Sequence, residues 1–586
     1  MPEVSQIEKT ELSNPVAVSG NVPRRWSRLD LAAAWPTWLS TSSSWDLATY
    51  GLLSIVAVLI VLTFTQYGIT WDEPIQNMYG AQIAEYYRLL LRGHYVLPLS
   101  TMPGTNLYLY GGLFDTLAAP FNLSRHGLYE GRHLLNAACG LMGLIGCWKV
   151  ARFVGGPAVG FLATLLLVIT PRYYGAMFNN PKDIPFAVGY IWSVYYLLQF
   201  AKTLPGVSRR INVSLALAIG ATLATRVGGL VLLAYLGAIV VVWFVIYAKN
   251  AGVSTRTWRV AFPLLRSCAW ITGIAWAVML LFWPWAQARP ITRPFQALTR
   301  FSYFADWQGK VLYGGTLIKS TELPRTYVLR MLAITLPEIF LASLALACGY
   351  VVWRCFSATR VSAANLRNAG ILLLAGIFPM AYVLARRSVL YNAERHVMFV
   401  LAPLACLAAW GGYLAVSKLG YTSKRVVAVG ALIYLAFHLT TMVRLHPDEY
   451  VYFNEFVGGL KGANGRYDTD YWGNSYREAV RDLSGYLIAT NESGVDQKYK
   501  IYLTYINRAC VTYYFPSNFS LVYDPDKADY FIANTSIGTD KLVDGQVVLR
   551  VEKLGVPLAV VKELPAAKAH RVSDLEPKVP QDALIW

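Results

Sequence analysis

The chain has 586 residues, 55% of them apolar and only 15% charged, with a mean hydropathy of +0.39. Soluble domains carry about 25% charged residues, so the deficit excludes an ordinary soluble protein and makes lipid the main solvent. The net charge of +18 is not a nucleic-acid footprint, because the basic residues fall largely in short loops between apolar runs and form no compact face. In chain order, residues 1–47 read as a mostly disordered cytoplasmic tail. Their first stretch, MPEVSQIEKTELSNP, has no apolar core of the kind a cleavable signal peptide needs. Apolar runs follow near 48–66, 132–151, 157–171, 184–201, 211–227, 229–247, 261–284, 328–353, 369–385, 397–416 and 425–443. At about 20 residues per crossing these predict about eleven transmembrane helices. A shorter run, 106–121, contains Asp115 and ends on proline, and reads as a juxtamembrane or half-buried helix.

Orientation follows from the loops. Lys149/Arg152, Lys202/Arg209/Arg210, Lys249/Arg256/Arg259, Arg354/Arg360/Arg367 and Lys418/Lys424/Arg425 fill alternate connections that hold no Asp or Glu. The positive-inside bias puts them, with the N-terminus, in the cytoplasm. The other connections, including outer loops 67–131 and 285–327, then face the periplasm of a bacterial inner membrane. Two outer stretches break the charge rule: 285–327 with Arg289, Arg293, Arg300, Lys310, Lys319 and Arg325, and 385–396 with Arg386, Arg387 and Arg395. Cations on the disfavoured side suggest a local task, such as holding an anion.

From 444 to 586 the composition turns charged and moderately apolar. KYKIYLTYI, FSLVYD and ADYFIAN read as strands and SYREAVRDLSGYLI as an amphipathic helix, which predicts a periplasmic α/β domain beyond the membrane domain of 48–443. Six of the seven cysteines lie in or beside apolar runs, Cys510 is the exception, and no CxxC pair exists. Neither a thiolate zinc site nor a disulfide framework is expected.

Three constellations could carry chemistry. QYGITWDEPIQNMYG (66–80) places Asp72 and Glu73 just past the first span, where the plain alternative is an acidic helix cap. ITPRYYGAMFNNPKDIPFAVGY (169–190) brings Lys182 and Asp183 to the next outer connection, amid Pro171, Pro181 and Pro185. The third group is cationic: Arg132/His133, Arg226, and Arg395/His396 in YNAERHVMF. Singly each would snorkel to the interface. Together, on one side of the membrane, they could clamp a phosphate through charge-assisted hydrogen bonds.

The WDE after the first span, the PRYYG…NPKDIPFA segment, the late ERH beside a helix start and the C-terminal soluble domain resemble the GT-C superfamily. The likeness is to family 39-type protein mannosyltransferases and the lipid A aminoarabinose transferase, and runs from about 48 to 443. The stretch YFNEFVGG…YDTDYWGNSYREA (452–479) also resembles the tail of some bacterial members. The resemblance implies an inverting transfer of a sugar from a polyprenyl-phosphate donor to an acceptor hydroxyl on the periplasmic face. Carried over, Asp72 is the general base, Glu73 supports it and Asp183 is the second acidic position. Arg226 and Arg395, with His396, Arg132, His133 and Lys182, would hold the lipid phosphate. The HPPL-type segment of the family is replaced here by TMPGTNLYLY, which leaves its acceptor contacts unassigned.

That chemistry requires no cofactor, and the chain has no GxxxxGK[ST] phosphate loop. The oxygens of Asp72 and Asp183 would suit Mg²⁺ or Mn²⁺, although the nearby cations can neutralise phosphate alone. The implied partners are the lipid-linked sugar, a lipid, glycan or protein acceptor, and the membrane lipids. Three other readings use the same residues. A transporter or flippase of a lipid-linked intermediate would also need intramembrane cations, but no internal repeat is evident. A non-catalytic assembly subunit would use 444–586 as a binding module. A polymerase or ligase would move a whole oligosaccharide from a polyprenyl diphosphate with the same acidic loop.

Overall fold

The computed structural model describes residues 43–94, 106–123, 127–251, 255–302, 309–357, 361–490, 498–504 and 508–564. The predicted tail of 1–47 lies outside them up to residue 42, and helix starts at Ser44. The chain is a polytopic helical membrane protein with a C-terminal β-sheet region. Among the described residues nine helices are long and apolar enough to cross a membrane: Ser44–Gln66, Leu128–Gly155, Asp183–Thr203, Val227–Lys249, Trp258–Leu281, Glu338–Cys355, Ala363–Arg386, Arg395–Ser417 and Tyr421–Leu445.

Three of the eleven expected crossings are broken or short in the structure, for stated reasons. The run at 157–171 becomes Pro157–Val168 followed by Pro171–Asn179, bent by 69°. Thr170 is extended, with ψ 101°, because the ring of Pro171 disfavours the helical region for the residue before it. Counting that pair as one span gives ten. The run at 211–227 is the helix Arg209–Leu223, whose 15 residues rise only about 22 Å, yet it returns the chain from the far end of Asp183–Thr203 to Arg226, which pairs with Asp183. The run at 328–353 is likewise broken at Leu336 (ψ 143°), ahead of Pro337, into Tyr327–Thr335 and Glu338–Cys355. The stretch at 106–121 is short helix, with Leu113–Ala118 as its longest regular piece.

The spans differ in what they face. Two thirds of Asp183–Thr203 and of Arg395–Ser417 is buried, against 6% of Glu338–Cys355 and 11% of Tyr421–Leu445. The two most enclosed spans are therefore those that start on Asp183 and Arg395. At the other end of the helices, Asp46 in the first turn of the first span accepts from Arg152 at 2.7 and 3.0 Å, tying it to Leu128–Gly155.

All three predicted strands are present. They are β3 (Tyr499–Leu503), β4 (Phe519–Val522) and β5 (Tyr530–Asn534), following a hairpin of β1 (Lys310–Tyr313) and β2 (Thr316–Lys319) in the 285–327 loop. With β6 (Gln546–Lys553) and β7 (Val556–Glu563) they form a sheet of order β4-β3-β5-β7-β6. The β3 strand runs parallel to β4 and β5, and β7 is antiparallel to β5 and β6. Helix Tyr476–Thr490 buries Tyr476, Ala479, Val480, Leu483 and Leu487. That three-and-four spacing is one helical face, and it packs on Ile501, Ile532 and Val561. Ile69, three residues before Asp72, is buried in the same cluster. Residues 446–475 precede the sheet and pack with the spans instead: Tyr450, Val451, Phe453, Leu460, Tyr471 and Trp472 are in the membrane helices' core.

That segment also holds the hairpin. Tyr313 bridges to Tyr467, and the Leu312 N–H donates to Asp468 Oδ1 at 3.2 Å. Burial pushes the Asp468 carboxyl up to about 7, with the Leu312 N–H pulling the other way. A folded-state value above the unfolded one of about 3.9 contributes stability that is lost as pH rises through the folded value. The melting temperature in detergent should fall between about pH 4 and about pH 7 and level off above that. Asp468→Asn should remove part of that slope, and an unchanged slope would count against the assignment.

Candidate active site at the starts of two buried spans

The pair Asp72–Glu73 splits into two tasks. Helix Glu73–Leu91 starts directly after Asp72, yet the Asp72 side chain makes no capping hydrogen bond. Glu73 reaches back instead: its Oε2 accepts from the Thr70 N–H at 2.8 Å and from Thr70 Oγ1 at 3.2 Å, the reciprocal half of a capping box. Its Oε1 lies 3.0 Å from His133 Nε2, and both side chains are 1% exposed. Glu73 thus closes a helix start and ties it to Leu128–Gly155.

Asp72 turns the other way. Arg395 Nη2 donates to its Oδ2 at 3.0 Å, and the Asp72 side chain keeps 34% exposure. Arg395 Nε lies 3.5 Å from Asp183 Oδ2, so one guanidinium spans both carboxylates. Asp183 also pairs with Arg226 Nη2. Asn180 locks it from within its own turn: its Nδ2 donates to Asp183 Oδ2 at 3.0 Å, and its Oδ1 accepts from the Asp183 N–H at 3.0 Å. Burial raises the Asp72 carboxyl, but Arg395 and Lys182 outweigh it and hold the group below its ordinary value. Asp72 is ionised at neutral pH.

Aromatic rings back the cations. Lys182 Nζ lies 4.4 Å and the Arg226 guanidinium 5.8 Å from the Tyr110 ring centre. Arg395 lies 5.5 Å from both Tyr391 and Trp472. His396 meets Tyr391 edge-on at 4.5 Å. Burial, and then the repulsion of Arg226 and Arg395, pull the Lys182 ammonium down to about 8, against the attraction of Asp72 and Asp183. Arg226 Nε and His396 Nδ1 are buried without a hydrogen-bond partner among the described residues.

The structure therefore brings together Asp72, Asp183, Arg226, Arg395, Lys182 and His396. Arg132 and His133 stand in a second buried group: Arg132 Nη2 pairs with Asp115 Oδ1 at 2.7 Å, and His133 with Glu73. Two cations of 285–327 do other work: Arg293 donates to the Trp285 carbonyl, and Lys319 pairs with Glu322 at 3.9 Å. Sequence reasoning missed Tyr110, Tyr391, Trp472 and Asn180. It also missed that Arg172 of PRYYG lies 3.5 Å from Glu394 of ERH, a buried pair beside the site. The density of aromatics in NLYLYGG and YDTDYWGN was the available signal. The carboxylates of Asp72 and Asp183 do not fit a divalent cation, because both already face Arg395, whose charge would repel it. Among the described residues no three His, Cys, Asp or Glu side chains gather to hold a metal ion.

The chain is similar to two solved structures. ArnT from Cupriavidus metallidurans, solved bound to undecaprenyl phosphate, is 14% identical with a TM-score of 0.47, covering 90% of this chain and 100% of that one. The Archaeoglobus fulgidus oligosaccharyltransferase, solved tethered with an acceptor peptide, is 12% identical with a TM-score of 0.43, covering 85% of this chain and 70% of that one. Both are GT-C superfamily members. No protein-family model and no curated protein sequence matches the chain.

Because Glu73 and His133 satisfy each other in a dry site, breaking the pair strands a buried polar group. Glu73→Ala should cost on the order of 3 kcal/mol in thermal unfolding. Asp72→Asn, at a partly exposed position, should change the melting temperature far less. Equal losses in the two variants would contradict the split of tasks.

Proposed function

We propose that the chain transfers a sugar from a polyprenyl-phosphate donor to an acceptor hydroxyl at the periplasmic face of a bacterial inner membrane, with its N-terminus in the cytoplasm. The observation that carries this reading is the single guanidinium of Arg395 shared by an accessible carboxylate, Asp72, and a buried one, Asp183. Within the cluster two carboxylates, Asp72 and Asp183, face three cations, Lys182, Arg226 and Arg395, an excess of one positive charge with unpaired donors beside it. Such a site gains most from an anion that develops charge during the reaction, and a departing lipid phosphate does so.

In the proposed step the acceptor oxygen attacks the anomeric carbon from the face opposite the phosphate, inverting it. The bond from that carbon to the phosphate oxygen breaks, and its electron pair leaves with the phosphate. The hydroxyl proton passes to Asp72. An ion-paired carboxylate is a weak base, so the donor has a second effect. Each hydrogen bond that Arg395 gives to phosphate weakens its hold on Asp72, which becomes more basic when the donor is in place. Asp183 and Asn180 keep Arg226 and Arg395 aimed, and Lys182 adds a point charge.

The test is a membrane assay with a panel of labelled polyprenyl-phosphate sugars. Wild type should transfer from one of them, and Asp72→Asn should lose about 10²–10⁴-fold in kcat. Turnover in Asp72→Asn equal to wild type would sink the assignment. Arg395→Ala should cost about 10²–10³-fold, as loss of a charge-stabilising donor does. The pH profile supplies an independent check. With Lys182 at about 8, kcat/KM should fall on the alkaline side as it loses its proton, and Lys182→Arg should move that limb to higher pH. An alkaline limb unmoved in Lys182→Arg would remove Lys182 from the phosphate site.

A further inference from the structure

Asp72 and Asp183 come from loops more than a hundred residues apart, and something must fix their separation for one guanidinium to reach both. We infer that Asn474, from the segment ahead of the sheet, is a positioning residue that straps the two carboxylate loops together. The inference rests on the reaction proposed above for its kinetic consequence, and on hydrogen bonds alone for the strap. Asn474 is 2% exposed. Its Oδ1 accepts from the Gly68 N–H at 2.6 Å and from Asn179 Nδ2 at 3.0 Å. Its Nδ2 donates to Asp448 Oδ1 at 2.5 Å and to the Pro447 carbonyl at 3.2 Å. Those four bonds exhaust what a side-chain amide can make, so no other residue type can replace it in full.

The two partners of Oδ1 are placed alike. Gly68 stands four positions ahead of Asp72, and Asn179 four ahead of Asp183. They also bond each other: Asn179 Nδ2 donates to the Gly68 carbonyl at 3.1 Å, and Thr70 Oγ1 to the Asn179 carbonyl at 3.0 Å. Gly68 has no room for a side chain, since a Cβ there would strike the Asn474 backbone oxygen. The same turn reaches both sides of the ion pair. Trp71 Nε1 donates to the Tyr471 carbonyl at 2.6 Å, and Gly473, at φ +72°, leaves the space that the Trp71 ring fills. Trp472 lies on Arg395. The sheet-side segment therefore sets where Asp72 sits relative to Asp183.

Asn474→Leu keeps the volume and removes all four bonds. It should lower kcat by about 10²-fold, the cost of a small misplacement, while the KM for the donor stays within about threefold. Asn179→Leu should do part of the same, and the double variant should be no slower than Asn474→Leu, because one strap is cut only once. Hydrogen–deuterium exchange gives a readout that needs no substrate: in Asn474→Leu the peptides covering 66–73 and 176–183 should exchange faster together, with β5 and β7 unchanged. Should Asn474→Leu fail to accumulate, Asn179→Leu carries both measurements. Unchanged kcat, multiplicative losses in the double variant, or exchange rising in only one loop would overturn the strap. A wild type inert on every donor would overturn the reaction instead, with the exchange readout still deciding the strap.

Discussion

Arg395 is the charge on which the site depends. Its side chain is 6% exposed, and removing a guanidinium from water costs several kcal/mol unless every direction is compensated. Here Asp72 and Asp183 supply the countercharge, while Tyr391 and Trp472 cover it. Replacing such a network with apolar side chains is often neutral or stabilising in other proteins, so stability alone does not explain it. The arrangement makes sense as a charge held ready. Neither carboxylate has Arg395 to itself, so an incoming anion needs to displace only part of each contact.

The helices serve that charge. Asp183 opens the span Asp183–Thr203 and Arg395 opens Arg395–Ser417, and these two are the most enclosed spans among the described residues. Placing both charges at helix starts leaves the apolar lengths free to pack, while the charged ends meet at one level. Asp183 in a first turn is also favoured by the helix dipole, which would disfavour Arg395 there were it not for the two carboxylates. The bend at Thr170–Pro171 serves the same end, because it turns Pro171–Asn179 across the bundle and delivers Asn179, Asn180 and Lys182 to the site.

How much of this could be read from the sequence differs from residue to residue. Nine spans were legible because apolar length is a local property, and so were Asp72, Asp183, Arg226 and Arg395, because charge at the edge of an apolar run stands out. The crossing at 211–227 was legible, but its end was read too far: the helix stops at Leu223, ahead of Arg226. What stayed hidden is non-local. Adjacent carboxylates look alike in a sequence, and only the contacts with His133 and Arg395 tell Glu73 from Asp72. Tyr110 could not be told from any other interfacial tyrosine, since its cations come from elsewhere in the chain. Trp472, in a segment that reads as part of a soluble domain, lies on a membrane-helix arginine.

That last contact changes how the C-terminal region is understood. A sheet appended to a membrane domain could act as a separate binding module, joined by a linker. Residues 446–475 are instead a polar wedge driven into the helix ends. Asp470 accepts from Tyr450 and Ser475, Asp448 lies 3.6 Å from Lys553 of β6, and Glu449 accepts from Tyr67 at 3.1 Å. Burying that many acidic side chains is costly: Asp470 is satisfied inside the segment, while Asp448 and Glu449 find partners outside it, on β6 and at the end of the first span. The sheet and the loop that carries Asp72 therefore form one mechanical unit through Ile69, Trp71 and Gly68. Asn474 binds the turn at Asn179 to the same unit, so the loops that carry Asp72, Lys182 and Asp183 are held to the segment ahead of the sheet.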